Sequence, residues 1–435
     1  MSRIKEYLVS KKDEMISLLT ELVSVRSVEG EPEEGYPFGR EPAEALGIML
    51  KKCSESGFSV ENVENYAGSA DINDLEPELA VLSHLDVVPE GTGWSGDPFT
   101  LRFDEKSDKL IGRGAIDDKG PAVAALYAAK AVKDLGIPLK KGVRLIFGTN
   151  EETGSADMEY YKSVRKMPPM VFTPDGEYPV INGEKGRVQL RFSCPYSEKE
   201  FNSIDTDNPL NAVPGECTYT SPANEYDELI YDHKVIGTAA HASTPEKGVN
   251  ALTLFLEQYA DKLESPQLRA LSKLFPHGEF DGSSAGLGFS DELSGKMTCV
   301  LSTAETYSDR IVFGVDIRFP LNRSFDEISS IICGKLREAG FEIDSCEGAE
   351  PHFTDGNSPF VKSLLKAYER VTGDPGHCIA IGGGTYVHDI EGGVAFGAEF
   401  PGTDGNMHGA DEFITVADLL RNAEIMAEAI VEICG

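Results

Sequence analysis

Leu79-Ala80-Val81-Leu82-Ser83-His84-Leu85-Asp86-Val87-Val88, closed by Pro89, and Gly142-Val143-Arg144-Leu145-Ile146-Phe147-Gly148-Thr149-Asn150-Glu151-Glu152 are two near-continuous apolar runs that end in polar residues. Both read as buried strands. Between them, Gly120-Pro121-Ala122-Val123-Ala124-Ala125-Leu126-Tyr127-Ala128-Ala129-Lys130-Ala131-Val132 has proline near its first turn and is rich in alanine, which predicts a closely packed helix. Met170-Val171-Phe172-Thr173-Pro174-Asp175 repeats the strand pattern. Strand, helix, strand repetition predicts an α/β core on a mixed, mostly parallel sheet. In such sheets ligands sit beyond the carboxyl ends of the strands, where this chain places His and acids.

Outward from that core the texture changes. The spacing of Ile4, Leu8, Ile16, Leu19, Leu22 and Val23 predicts an opening amphipathic helix over 4–25. From about 186 alternating strands such as Arg187-Val188-Gln189-Leu190-Arg191-Phe192 appear, with helical patterns near 250–263 and 325–339. Strand and acid motifs return only near the end. The expected organisation is one domain from 1–185 and 376–435, split by an inserted α+β unit over 186–375. Two β/α stretches, near 187–263 and 298–345, suggest a degenerate duplication within the insertion.

Composition limits the partners. The chain has 435 residues, 40% hydrophobic and 26% charged, which suits a folded protein with a substantial core. A formal charge of −33 repels phosphate backbones and anionic membranes, so nucleic-acid and membrane partners are not expected. The eight cysteines form no C-x-x-C pair and read as reduced thiols. Without an apolar leader-like run or a spanning segment, a cytoplasmic location is expected.

His84, Asp86, Asp117, Asp118, Glu151, Glu152, Asp175 and His408 form the mixed imidazole and carboxylate set that a two-metal hydrolytic site needs. Nitrogen and oxygen donors without thiolate suit Zn²⁺, Mn²⁺ or Co²⁺. So many acids converging on strand ends repel one another unless cations compensate them.

The ordered motifs Ser83-His84-Leu85-Asp86-Val87-Val88-Pro89, Gly93-Trp94-x-x-Asp97-Pro98-Phe99, Gly112-Arg113-Gly114-x-x-Asp117-Asp118-Lys119-Gly120 and Gly148-Thr149-Asn150-Glu151-Glu152-Thr153-Gly154 carry a signature. Together they resemble the M20 metallopeptidase family. Phe172-Thr173-Pro174-Asp175, Glu184-Lys185-Gly186, Gly382-Gly383-Gly384-Thr385-Tyr386 and Phe396-Gly397 make the likeness closest to the PepV-like dipeptidases, the Xaa-His dipeptidase or carnosinase-like group.

The resemblance implies two divalent metal ions, Zn²⁺ first, with Mn²⁺ or Co²⁺ as alternatives. His84 and Asp175 would bind one and Glu152 and His408 the other, with Asp117 bridging and a cis peptide after it. Glu151 would be the general base that activates a metal-bridging hydroxide, and Asp86 the acid that orients the ligand imidazole. His241, in Gly237-Thr238-Ala239-Ala240-His241-Ala242, would donate to the developing oxyanion. Arg318, in Asp316-Ile317-Arg318-Phe319-Pro320, would read the substrate carboxylate. Asn211 and the Gly383-Gly384-Thr385 turn would hold the substrate backbone. The implied enzyme is a monomeric metallo-dipeptidase acting on unblocked dipeptides, its catalytic domain over 1–185 and 376–435 and its 186–375 lid an internal pseudo-dimer that delivers His241 in cis. The alternatives are an N-acyl amino acid deacylase of the same family, or a silent metal-binding or peptide-binding protein.

Overall fold

The computed structural model describes residues 2–196, 201–221 and 231–435, and the chain separates into two compact units. The first comprises the residues up to 182, 354–379 and 385–435. Its central sheet runs Ser59–Val63, Ala67–Asp71, Gly142–Gly148, Pro77–His84, Met170–Thr173, Val394–Ala395 and Val180–Glu184. Pro77–His84 lies parallel to both Gly142–Gly148 and Met170–Thr173, which makes the middle of the sheet parallel, while Ser59–Val63 and Ala67–Asp71 are antiparallel. The sheet is therefore mixed.

Register decides what meets at the strand ends. His84 pairs with Gly148, so the next residues on that strand's exit, Thr149 to Glu152, emerge beside the imidazole. Val81 pairs with Phe172, and the same offset carried three residues further brings Asp175 alongside His84. The helices Lys119–Asp134 and Val416–Cys434 pack together in the core, where the fully buried Ala124, Ala128, Ala423 and Ala427 permit a close approach.

The second unit spans 183–353 and 380–384. Its antiparallel sheet runs Thr298–Thr306, Arg310–Phe319, Gly186–Pro195, Glu342–Ala349, so strands from both of the supposed repeats share one sheet. The helices Ala251–Gln258, Pro266–Leu274 and Phe325–Glu338 cover a separate hydrophobic core. The helix Pro359–Thr372, inside the expected 186–375 insertion, packs instead with the first unit. Its apolar face, Phe360, Val361, Leu364, Ala367 and Tyr368, is buried in that unit's core. All eight cysteines are free thiols. Among the described residues no helix is long and apolar enough to cross a membrane.

Candidate metal centre

His84 closes its strand fully buried. Its Nδ1 lies 3.0 Å from the main-chain oxygen of Asp86, which turns Nε2, the nitrogen that meets Asp117, toward the acids. That Nε2 is 3.0 Å from Asp117 Oδ1 and 3.8 Å from Asp175 Oδ2. The other oxygen of Asp117 points elsewhere: Oδ2 lies 2.9 Å from His408 Nε2, which is also 3.1 Å from Glu152 Oε2. One carboxylate thus addresses two imidazoles from different ends of the chain. Ligand atoms of His84, Asp117 and Glu152 lie within 4.8 Å of one another, as do those of His84, Glu151 and Asp175.

The supports explain why these groups converge. The carboxylate of Asp86 accepts the amide N–H groups of Glu151 and Glu152, both at 3.1 Å, and so fixes the adjacent glutamates. The His84 ring meets Asp86 twice: Nδ1 is 3.0 Å from the main-chain oxygen and 3.5 Å from the carboxylate that also accepts those amides. Asp157 was not legible from the sequence. Fully buried, it accepts from Thr149 N at 2.6 Å, Asn150 N at 3.0 Å and the Tyr386 hydroxyl at 2.5 Å, and the Tyr386 ring stands edge-on to His84. Glu412 Oε1 accepts from the N–H groups of Ile116 and Asp117 at 3.0 and 3.2 Å, while Oε2 meets Arg113 at 2.6 Å. The Arg113 fork also donates to the main-chain oxygens of Glu90 and His408, tying the Asp117 loop to the His408 loop. The Asp117–Asp118 peptide is cis, and Asp118 accepts from His84 N at 3.1 Å.

Electrostatics show what the cluster lacks. Burial pushes the Glu151 carboxyl well up, and against the pull of His84 so do the charges of Asp175, Glu152 and Asp117. Glu152 is raised by burial and by Asp117. Asp117 is held below the ordinary range: burial opposes its charge, but the hydrogen bonds from His408 and His84 prevail. Two imidazoles are too little positive charge for these acids, and the all-N/O donor set fits divalent cations.

Asp175 is pushed from 3.8 up to about 7 by burial and then by Asp117. His408 is raised from 6.5 to about 11 by its hydrogen bonds to Asp117 and Glu152. In both cases the metal-free fold keeps a proton that the unfolded chain releases at lower pH. Stability of the metal-free protein therefore falls as pH rises, from 3.8 through about 7 for Asp175 and from 6.5 toward about 11 for His408. Cations replace those protons, so the rise in melting temperature on adding zinc is expected to be larger near about pH 8 than near about pH 5. An equal or smaller rise at the higher pH contradicts this account.

The other named residues, Thr385 apart, belong to the second unit. Ala212 pairs with His241, and the main-chain oxygen of Asn211 accepts from Ala242 N at 2.9 Å, so Asn211 and His241 share one short ribbon. His241 Nδ1 is 2.7 Å from Ser243 Oγ. Arg318 donates Nε and Nη2 to Asp316 at 2.7 and 3.1 Å and Nη1 to the main-chain oxygen of Gly382 at 3.1 Å. Gly383 and Gly384 follow in that turn, and nothing lies within 4 Å of a Cβ added at Gly383. Thr385 belongs to the first unit.

This pattern has counterparts in known proteins. The chain is 34% identical, over an alignment covering 99% of it and 98% of that protein, to the β-Ala-Xaa dipeptidase of Lactobacillus delbrueckii subsp. lactis. Its fold matches human carnosine dipeptidase 1, with a TM-score of 0.66, 15% identity and coverage of 99% and 98% of the two chains. The dipeptidase Dug1p of Saccharomyces cerevisiae gives 0.64 and 14%, with 99% and 98% covered. The model of peptidase family M20/M25/M40 matches residues 80–432, a span that takes in every residue of the His and carboxylate cluster. The chain therefore belongs to peptidase family M20/M25/M40.

Proposed function

We propose that this chain hydrolyses the peptide bond of unblocked dipeptides at a pair of divalent cations, Zn²⁺ foremost, with Glu151 as general base. The observation that carries this reading is Asp117, whose two oxygens face His84 at 3.0 Å and His408 at 2.9 Å. His84 and Asp175 would hold one cation, Glu152 and His408 the other, and Asp117 both. When bound, such a pair polarises a carbonyl and acidifies water.

The chain's own groups do the rest. Glu151, its backbone fixed by Asp86, accepts the water's proton and returns it to the departing amine. Its neighbour Glu152 points the other way, toward His408. His241 donates to the developing oxyanion, and Arg318, held by Asp316, reads the substrate carboxylate. Asn211 and the turn at Gly383, Gly384 and Thr385 hold the substrate backbone. The β-Ala-Xaa dipeptidase relative supports the dipeptide as substrate over an acylated amino acid.

The test is a turnover screen of the metal-loaded protein on alanyl dipeptides beside N-acetyl and N-succinyl amino acids, run on fractions sized by light scattering. Turnover of dipeptides alone, in a fraction with the mass of one chain and in the cytoplasmic extract, is expected. Turnover of only the acylated compounds would make the chain a deacylase. Tight dipeptide binding without turnover would make it a silent binding protein.

A further inference from the structure

Lys185 stands at the junction into strand Gly186–Pro195 and is 9% exposed, yet no carboxylate among the described residues pairs with it. Among the described residues its ammonium donates only to the main-chain oxygen of Lys296. Two residues past Lys296, Thr298 opens the strand Thr298–Thr306; it is 8% exposed and its hydroxyl has no hydrogen-bond partner among the described residues. A buried ammonium and a buried hydroxyl that leave donors unused are costly unless something else takes them.

Both residues line one cleft of about 870 Å³, together with Ser243, Glu246, His277 and Lys296. Sheet register places that cleft among residues already implicated in substrate binding. Thr298 pairs directly across from Arg318, and Phe319, the next residue, pairs with Gly186. The Lys185 N–H donates to the main-chain oxygen of Ile381, one residue before the Gly382 oxygen that accepts from Arg318. A Cβ at Gly382 would stand 2.7 Å from the Ser243 Cβ, so this turn also abuts the residue bonded to His241.

We propose that Lys185 and Thr298 form a carboxylate-binding subsite that receives the C-terminal carboxylate of the dipeptide beside Arg318. The proposal rests on the dipeptidase reading above. A monoanion fits better than a dianionic phosphate. Glu246, Glu279 and Asp281 share the cleft, and although Glu279 and Asp281 bind the N–H and hydroxyl groups of Ser284 and Ser283, their charge still opposes a second negative charge.

The test compares alanyl-alanine with its C-terminal amide on the metal-loaded wild type, Lys185→Met and Thr298→Val. KM is measured for turnover, and binding is measured by calorimetry in a Glu151→Gln background. Wild type is expected to favour the free acid by at least about ten-fold, and each variant to cut that preference by about three-fold or more through the acid alone, Arg318 holding the remainder, with kcat for the amide unchanged. Thr298→Val replaces a hydroxyl by a methyl of similar size, so it decides the matter if Lys185→Met does not fold. Variants that keep the wild-type acid preference, or a wild type that binds acid and amide alike, overturn the subsite. A wild type that binds the acid selectively but hydrolyses no dipeptide overturns the dipeptidase reading and leaves the subsite standing.

Discussion

Replacing Glu151 by Ala is expected to leave two cations bound per chain and to lower dipeptide turnover by roughly three to four orders of magnitude, the upper range for losing a general acid–base group. The ligand atoms assigned to the cations belong to other residues, and the Glu151 backbone stays pinned because its N–H, not its side chain, meets Asp86 at 3.1 Å. Metal affinity should therefore change little. A second readout separates a proton-transfer role from a structural one. The Glu151 carboxyl is pushed well up by burial, which makes its ionised form costly in the metal-free protein. A carboxylate with a raised pKa weakens the fold above its ordinary range, so metal-free Glu151→Ala should be no less stable than wild type at neutral pH. Metal analysis, steady-state rates and thermal melting check the three statements. Undiminished hydrolysis removes Glu151 as the base, and loss of one cation makes it a ligand.

Much of this centre was legible in the sequence because parallel strands turn a one-dimensional pattern into a place. Apolar runs ending at His84, Glu151 and Asp175 predict three strand ends, and in-register parallel pairing leaves those ends side by side. Asp117 and His408 carry no such periodicity; donor chemistry put them in the imidazole and carboxylate set, and family likeness gave them their roles. The supports were less visible. Asp157 is one more acid in a helical stretch, and Arg113 and Glu412 are nearly 300 residues apart in a chain where only folding makes them neighbours. The resemblance gave Asp86 to the His84 ring, and the structure adds what it could not: the Asp86 carbonyl also meets that ring, and its carboxylate, 3.5 Å from Nδ1, accepts two amides as well. The opening helix divides at Lys11 into Arg3–Ser10 and Lys12–Val23, although its apolar spacing continues across the break. For Pro359–Thr372 an amphipathic pattern announces a buried face without saying which of two cores buries it.

Asp117 is where the two-cation reading is most exposed to disproof. Asn in its place keeps the volume but gives up a charge and one of two acceptor oxygens. Outer partners of metal ligands cost roughly ten- to a hundred-fold in affinity when lost, so a shared ligand should cost at least about a hundred-fold at both cations. Asp175→Asn, by contrast, removes a ligand from one side and should leave one cation bound with near wild-type affinity. The metal-free proteins should diverge as well. The hydrogen bonds from His408 and His84 overcome burial to hold Asp117 below its ordinary 3.8, so its contribution to stability is present above that pH and lost as the pH falls through the depressed value. The Asp117–His84 pair is the buried one, and breaking such a pair costs about 3–5 kcal/mol, so Asp117→Asn should lower the metal-free denaturation midpoint near neutral pH accordingly. Asp175, whose ionised form is disfavoured in the same fold, should give the opposite sign when changed to Asn. If Asp117→Asn still binds two cations at wild-type affinity, the carboxylate does not span them, and the dinuclear mechanism fails with it.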